Sequence, residues 1–192
     1  MIKNILVTGG AGYIGSATVK ELIKLSYNVI IIDNLSNGDI KYIDKKAKFY
    51  EIDLMNKKKL DIVFKENKID AIIHFAGYKD VEESMINTKK YSENITGTIN
   101  LLDYMTKYNI KKIIYSSSAA VYGLPKTLPI NEDAQIDIIN YYAYTKICCE
   151  DLIKWYSNNH NINYVNLRYF NVIGDAGLSY IDSNAKNVMI EL

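Results

Sequence analysis

The chain has 192 residues, 48% of them hydrophobic, which suffices for a real core in one large domain or one and a fraction. Lys plus Arg number 23 against 22 Asp plus Glu, and the basic residues are scattered, so charge gives no footing to a nucleic acid or an anionic membrane. No apolar run approaches the ~20 residues that span a bilayer, and the N-terminus runs into the first apolar stretch with no signal peptide ahead of it, so a cytoplasmic protein is expected.

The first predicted strand, Lys3–Thr8, carries Ile5-Leu6-Val7 and runs into TGGAGYIG at Thr8–Gly15, which opens a helical segment over Tyr13–Leu25. Glycines at 9, 12 and 15 between a strand and a helix let backbone N–H groups approach a phosphate. The helix N-terminus adds its own orphan donors and a partial positive charge of about half a unit. The second strand, Asn28–Asp33, ends in an acid 18 residues beyond Gly15, where a ribose hydroxyl would be held. This order of strand, glycine loop, helix, strand and acid points to dinucleotide binding. A tight strand-to-helix turn without a ligand would explain the glycines alone.

Further β-branched runs follow at Lys48–Ile52, Ala71–Phe75, Lys112–Ser116 and Asn163–Arg168, nearly continuous as in strands buried on both faces of a parallel sheet. A long helix over Thr88–Tyr108 is predicted from Tyr91, Ile95, Ile99, Leu102 and Met105, which recur at spacings of three and four. A second covers about Tyr142–Asn159. The alternation predicts an α/β, doubly wound parallel sheet of Rossmann type, in strand order 3-2-1-4-5-6. Both prolines, Pro125 and Pro129, fall in one long loop, Gly123 to Asn140, of a length more often functional than idle. Cys148 and Cys149 are adjacent and fit no metal or redox spacing, so they read as reduced, packed thiols. His74 and His160 have no ligand partners in sequence; His74 ends an apolar strand and is expected to be hydrogen-bonded there, with no metal.

Three segments lie at the C-terminal ends of strands, where such sheets bind ligands: HFAGYK from His74, SSSAAVYG from Ser116, and YYAYTK at the start of the second long helix. Tyr142 and Lys146 are four residues apart and so share a helix face. An ammonium about 5 Å from a phenol favours the phenolate by ~3 kcal/mol at an effective dielectric of 20, which makes Tyr142 a candidate base near neutral pH. Ser118 stands ready to hydrogen-bond the same substrate oxygen. A tyrosine–lysine pair at this spacing is common by chance in a chain with 17 tyrosines, where it marks a solvated lysine and a packed ring. The upstream glycine loop and the serine triplet favour the catalytic reading.

From Ile2 to about Gly174 the chain resembles the extended short-chain dehydrogenase/reductases, and within them the UDP-glucose 4-epimerases. The resemblance rests on VTGGAGYIGS, IIDNLSNG, the aspartate of YEIDL, HFAGYKDVEES, NITGT, YSSSAAVYG, YAYTK and LRYFNVIG, in family order and spacing. It implies NAD as cofactor, with Gly9, Gly12, Tyr13, Ile14 and Gly15 at the pyrophosphate, Asp33 and Asn34 at the adenosine ribose, and Asp53 and Leu54 at the adenine. Phe75, Ala76, Gly77 and Lys79 would line the nicotinamide side, with Asn94 nearby. Ser118, Tyr142 and Lys146 match the catalytic serine, tyrosine and lysine, the last two also facing the cofactor. Phe170 matches a position at the nicotinamide and Asn171 one at the sugar nucleotide.

The acid at Asp33 argues for NAD over NADP, because it would repel a 2′-phosphate. Related dehydratases carry an Asp-Glu pair directly after the serine or threonine; here those positions are Ala119 and Ala120. Asp80 departs from the small residue usual beside the family's lysine and would either weaken the contact of Lys79 or point to solvent. The implied reaction interconverts UDP-galactose and UDP-glucose through a 4-keto sugar. Other UDP-sugar epimerases or decarboxylases of the family, and a non-catalytic NAD-binding remnant, are the alternatives. Family members run well past residue 192 into a smaller substrate domain. The implied division is therefore a cofactor domain over 1–174 and the start of a substrate region over 175–192, where Ser183–Leu192 reads as a helix start. Pairing of two copies through the long helices is also expected.

Overall fold

Six β-branched segments form one parallel sheet in the order β3-β2-β1-β4-β5-β6 in a computed structural model that describes residues 2–174 and 176–180. The strands are β1 (Asn4–Thr8), β2 (Asn28–Asp33), β3 (Lys48–Glu51), β4 (Ala71–His74), β5 (Lys112–Ser118) and β6 (Asn163–Tyr169), and the helices are α1 (Tyr13–Lys24), α2 (Lys57–Glu66), α3 (Val81–Ile86), α4 (Thr88–Lys107) and α5 (Tyr141–His160). The predicted sheet order is observed. Two helices go beyond the segments picked out from periodicity: α2, and the short α3 ahead of α4. The expected helix start over Ser183–Leu192 lies outside the described residues.

Side-chain oxygens set most helix starts. Asn56, Asp80, Asn87 and Asn140 each accept a hydrogen bond from a first-turn amide of α2, α3, α4 and α5 respectively. Asp80, the departure noted in the sequence, is thus the cap of α3, accepting from Glu83 N at 2.7 Å. Only α1 begins without a side-chain cap, at Gly12.

The register assigns the two faces of the sheet. Leu6, Ile72, Ile113 and Tyr115 point towards α2, α4 and α5 and pack with Leu60, Leu101, Met105 and Ile153. On the other face, Val7, Ile31 and Ile73 pack against Val19 of α1. The expectation that every strand is buried on both faces fails on this second side. Along the register row Val7, Ile73, Ile114 and Val165, exposure climbs from 0% through 9% and 36% to 51%. The reason is that α1 covers β1, β2 and β4, while no described element covers β5 and β6 there. Among the described residues no helix is long and apolar enough to cross a membrane.

Candidate active site

The turn after β1 fits glycine for steric reasons. Gly9 sits at φ +71, and a Cβ there would stand 2.6 Å from Ala76 N. A Cβ on Gly15 would collide with the Gly9 carbonyl. A Cβ on Gly12 would meet nothing within 4 Å but the Gly9 carbonyl at 3.4 Å, and no side chain caps the start of α1 there, beside Tyr13 and Ile14, so its first amides have no side-chain acceptor and suit an anion.

Asp33, at the end of β2, is buried beside this turn and accepts hydrogen bonds from Ala11 N at 2.9 Å and Leu35 N at 2.8 Å. Burial pushes its carboxyl up, and the two amides pull the other way. A carboxylate has about four lone-pair sites, so two remain for hydroxyl donors. Asn34 donates to Asp53 Oδ2 at 2.8 Å, which joins the ends of β2 and β3. Leu54 is held next to α4, where Asn100 Nδ2 donates to its carbonyl at 2.9 Å. The residues predicted for the ribose and adenine therefore form one rim.

The turn after β4 carries Phe75, Ala76 and Gly77 against the glycine loop: Phe75 N donates to Thr8 O at 3.0 Å. Asn94 fixes this turn from α4, accepting from Tyr78 N at 2.8 Å and donating to Tyr78 O at 3.0 Å. Lys79 is exposed at its outer edge. Beneath lies buried His74, whose Nδ1 pairs with Thr8 Oγ1 at 2.6 Å and whose Nε2 pairs with Thr98 Oγ1 at 3.0 Å. Burial, with a smaller push from the Lys146 charge, lowers its pKa from 6.5 to about 3. His74 is therefore hydrogen-bonded as expected from sequence, and burial keeps it neutral. No cluster of metal-binding side chains occurs among the described residues.

Ser118 ends β5 and its Oγ accepts from Ala120 N at 3.2 Å, which leaves the hydroxyl proton free to be donated. Tyr142 and Lys146 lie buried on the face of α5 that meets β5. Lys146 Nζ is 5.6 Å from the Tyr142 ring centre, and it donates to the Ser116 carbonyl at 2.7 Å. The lysine is therefore anchored to the strand, two residues before the serine. Because β6 pairs Tyr169 with Ser118, Phe170 and Asn171 emerge beside the serine, both exposed. The glycine loop, the Phe75–Gly77 turn, Ser118, Tyr142 and Lys146 thus gather at the C-terminal ends of β1, β4 and β5.

Sequence reading missed Ser84. Its Oγ, fully buried on α3, accepts from Tyr142 N at 3.1 Å and so fixes the start of α5. A six-residue helix has too few turns to show a periodic stripe. Both cysteines are free; Cys149 is buried, and burial pushes its thiol up, as befits an inert packed group.

A family model described as "NAD dependent epimerase/dehydratase family" matches residues 5–190. The chain is 46% identical over 171 residues to a UDP-glucose 4-epimerase of Lactobacillus helveticus, covering 88% of this chain and 52% of the relative. Among solved structures it is similar to UDP-glucose 4-epimerase from Brucella ovis in complex with NAD, at 38% identity and TM-score 0.85, covering 88% of this chain and 52% of that one. It is also similar to UDP-glucose 4-epimerase from Bifidobacterium longum in complex with NAD+ and UDP, at 40% identity and TM-score 0.84, covering 88% and 53%. The chain spans about half the length of the curated relatives it matches.

Proposed function

The chain belongs to the NAD dependent epimerase/dehydratase family, and we propose that it is the cofactor-binding and catalytic half of an NAD-dependent UDP-glucose 4-epimerase. The observation that carries this is the convergence of the glycine loop with Ser118, Tyr142 and Lys146 at one edge of the sheet. The alanines at 119 and 120 favour epimerisation over dehydration, since no acid or base follows the serine. The same reading assigns residues 1–174 to cofactor and catalysis and the chain to galactose metabolism in the cytoplasm. A second copy would pair through α4 and α5, where Tyr144, Cys148 and Trp155 form an outward stripe and Trp155 is 65% exposed.

In this proposal Tyr142, as phenolate, takes the proton of the sugar 4-hydroxyl, and Ser118 donates a hydrogen bond to that oxygen and holds it in line. Lys146 supplies the positive charge that favours the phenolate, at a distance fixed by its bond to Ser116. NAD, when bound, supplies a hydride acceptor and donor at the sugar C4. Asn94 and the Phe75–Gly77 turn shape the nicotinamide side, and Phe170 and Asn171 stand at the sugar side.

Cofactor choice tests the first half of the reading. The buried Asp33 carboxylate would face a 2′-phosphate, so NADP is expected to bind the purified chain at least about tenfold more weakly than NAD, a like-charge penalty of ~1.4 kcal/mol or more. Competition titration with the two nucleotides measures this. Equal affinities would remove Asp33 from its role. Alone, the 192-residue chain is expected to epimerise UDP-galactose weakly or not at all, because binding energy from remote parts of a substrate orients the reacting carbon. Turnover near that of a full-length relative would make the C-terminal half dispensable.

A further inference from the structure

Arg168 is the one arginine of the chain, and its guanidinium joins three parts of the fold. Nε and Nη2 donate to the two carboxylate oxygens of Glu150 on α5, at 3.0 and 2.7 Å. Nη1 donates to Tyr122 Oη at 2.9 Å and to the Glu132 carbonyl, inside the proline loop, at 3.2 Å. Ser117 Oγ donates to Glu150 Oε1, and β6 sets Arg168 directly beside Ser117. One carboxylate thus gathers β5, β6 and α5, and one guanidinium ties the loop to that junction.

The junction adjoins the chemistry at both ends. Ser117 precedes Ser118. Glu150 lies one turn beyond Lys146 and two beyond Tyr142 on the buried face of α5. Lys146 on the Ser116 carbonyl and Glu150 on the Ser117 hydroxyl are therefore two bolts, set on successive residues of β5 just before the catalytic serine. The proline loop leaves after Tyr122 and returns at Asn140, the cap of α5, so its anchor at Glu132 constrains the same helix start. A lysine at 168 would keep the charge but lack the planar fork that engages both oxygens of Glu150 while reaching Tyr122.

We propose that Arg168 is a positioning residue: acting through Glu150 and Ser117, it fixes the register of α5 against the end of β5 and hence the placement of Tyr142 relative to Ser118. The role rests on the epimerase reading above.

The test is a double-mutant cycle in the NAD-loaded chain joined to the C-terminal half of the Lactobacillus helveticus relative, where the sugar nucleotide is held, with conversion of UDP-galactose followed by NMR. Arg168→Met is expected to lower kcat on the order of tenfold to a hundredfold, since small misplacements of reacting groups have that cost, while KM and the NAD Kd stay within about threefold. Arg168→Lys should not restore the rate. In a Ser118→Ala background the cost of Arg168→Met should shrink to about threefold or less, because the two residues act as one unit. Equal costs in both backgrounds, or full rescue by lysine, would overturn the proposal.

Amide hydrogen exchange reads the same clamp without turnover. In Arg168→Met, residues 117–140 should exchange at least about tenfold faster, with β1 and the glycine loop unchanged; unaltered exchange there overturns the proposal. A wild-type chain that binds no NAD would overturn the epimerase reading instead.

Discussion

Tyr142→Phe is expected to lower the interconversion of UDP-galactose and UDP-glucose by about 10²–10⁴-fold, the usual contribution of a positioned acid–base group. The change is best measured in the chain joined to the C-terminal half of the Lactobacillus helveticus relative, where the sugar nucleotide is held. Phenylalanine keeps the buried ring and removes only the hydroxyl, so helix α5, its Ser84 contact through the backbone and the Lys146 anchor on Ser116 all survive. NAD content of the purified variant should accordingly match the parent. Ser118→Ala should cost less, because Tyr142 still supplies the base and only one orienting hydrogen bond is lost. Turnover of Tyr142→Phe near the parent rate would rule out the proton transfer assigned to it.

The parts of this site that could be read from sequence are those set by local constraints. Gly9 is required locally by its φ of +71 and Gly15 by a clash with the Gly9 carbonyl in the same turn, and Tyr142 and Lys146 share a face because helix geometry puts positions four apart together. Asp33 follows from where the second strand ends. What escaped the sequence is held by contacts between distant positions. Thr8 and His74 are 66 residues apart, Tyr122 and Arg168 are 46 apart, and Ser84 reaches Tyr142 across 58. Single polar residues at such separations carry no periodicity. The half-covered face of β5 and β6 is signalled only weakly in sequence, by the polar residues interleaved in KIIYSSS and NYVNLRY, because hydropathy along a strand does not tell which helix covers it.

Acidification is expected to destabilise the fold well above the range where its carboxylates titrate, and His74 is the cause. Its folded pKa is about 3 against 6.5 for the ordinary imidazole. Below pH 6.5 the unfolded chain therefore binds a proton that the native state refuses, and stability falls as pH falls, with a slope approaching ~1.4 kcal/mol per pH unit. Between pH 6.5 and about 4.5 this amounts to ~2 kcal/mol, a sizeable share of a typical stability of about 5–15 kcal/mol. The carboxylates whose pKa is lowered by partners, such as Asp70 and Glu83, add losses of the same sign only at lower pH. Asp33, pushed up by burial, acts in the opposite sense from the ordinary carboxylate range upward, adding stability as the pH falls through its raised pKa. Urea unfolding of the chain and of His74→Gln at pH 4.5–7.5 separates the contributions. The glutamine variant should be less stable at pH 7, having lost a fit between Thr8 and Thr98, yet nearly flat in pH over that window. A parent and variant with the same slope would assign the acid sensitivity elsewhere. Because His74 links the end of β1 to α4 directly under the Phe75–Gly77 turn, which the proposed reading sets at the nicotinamide, release of NAD from the loaded chain is expected to precede global unfolding as the pH is lowered.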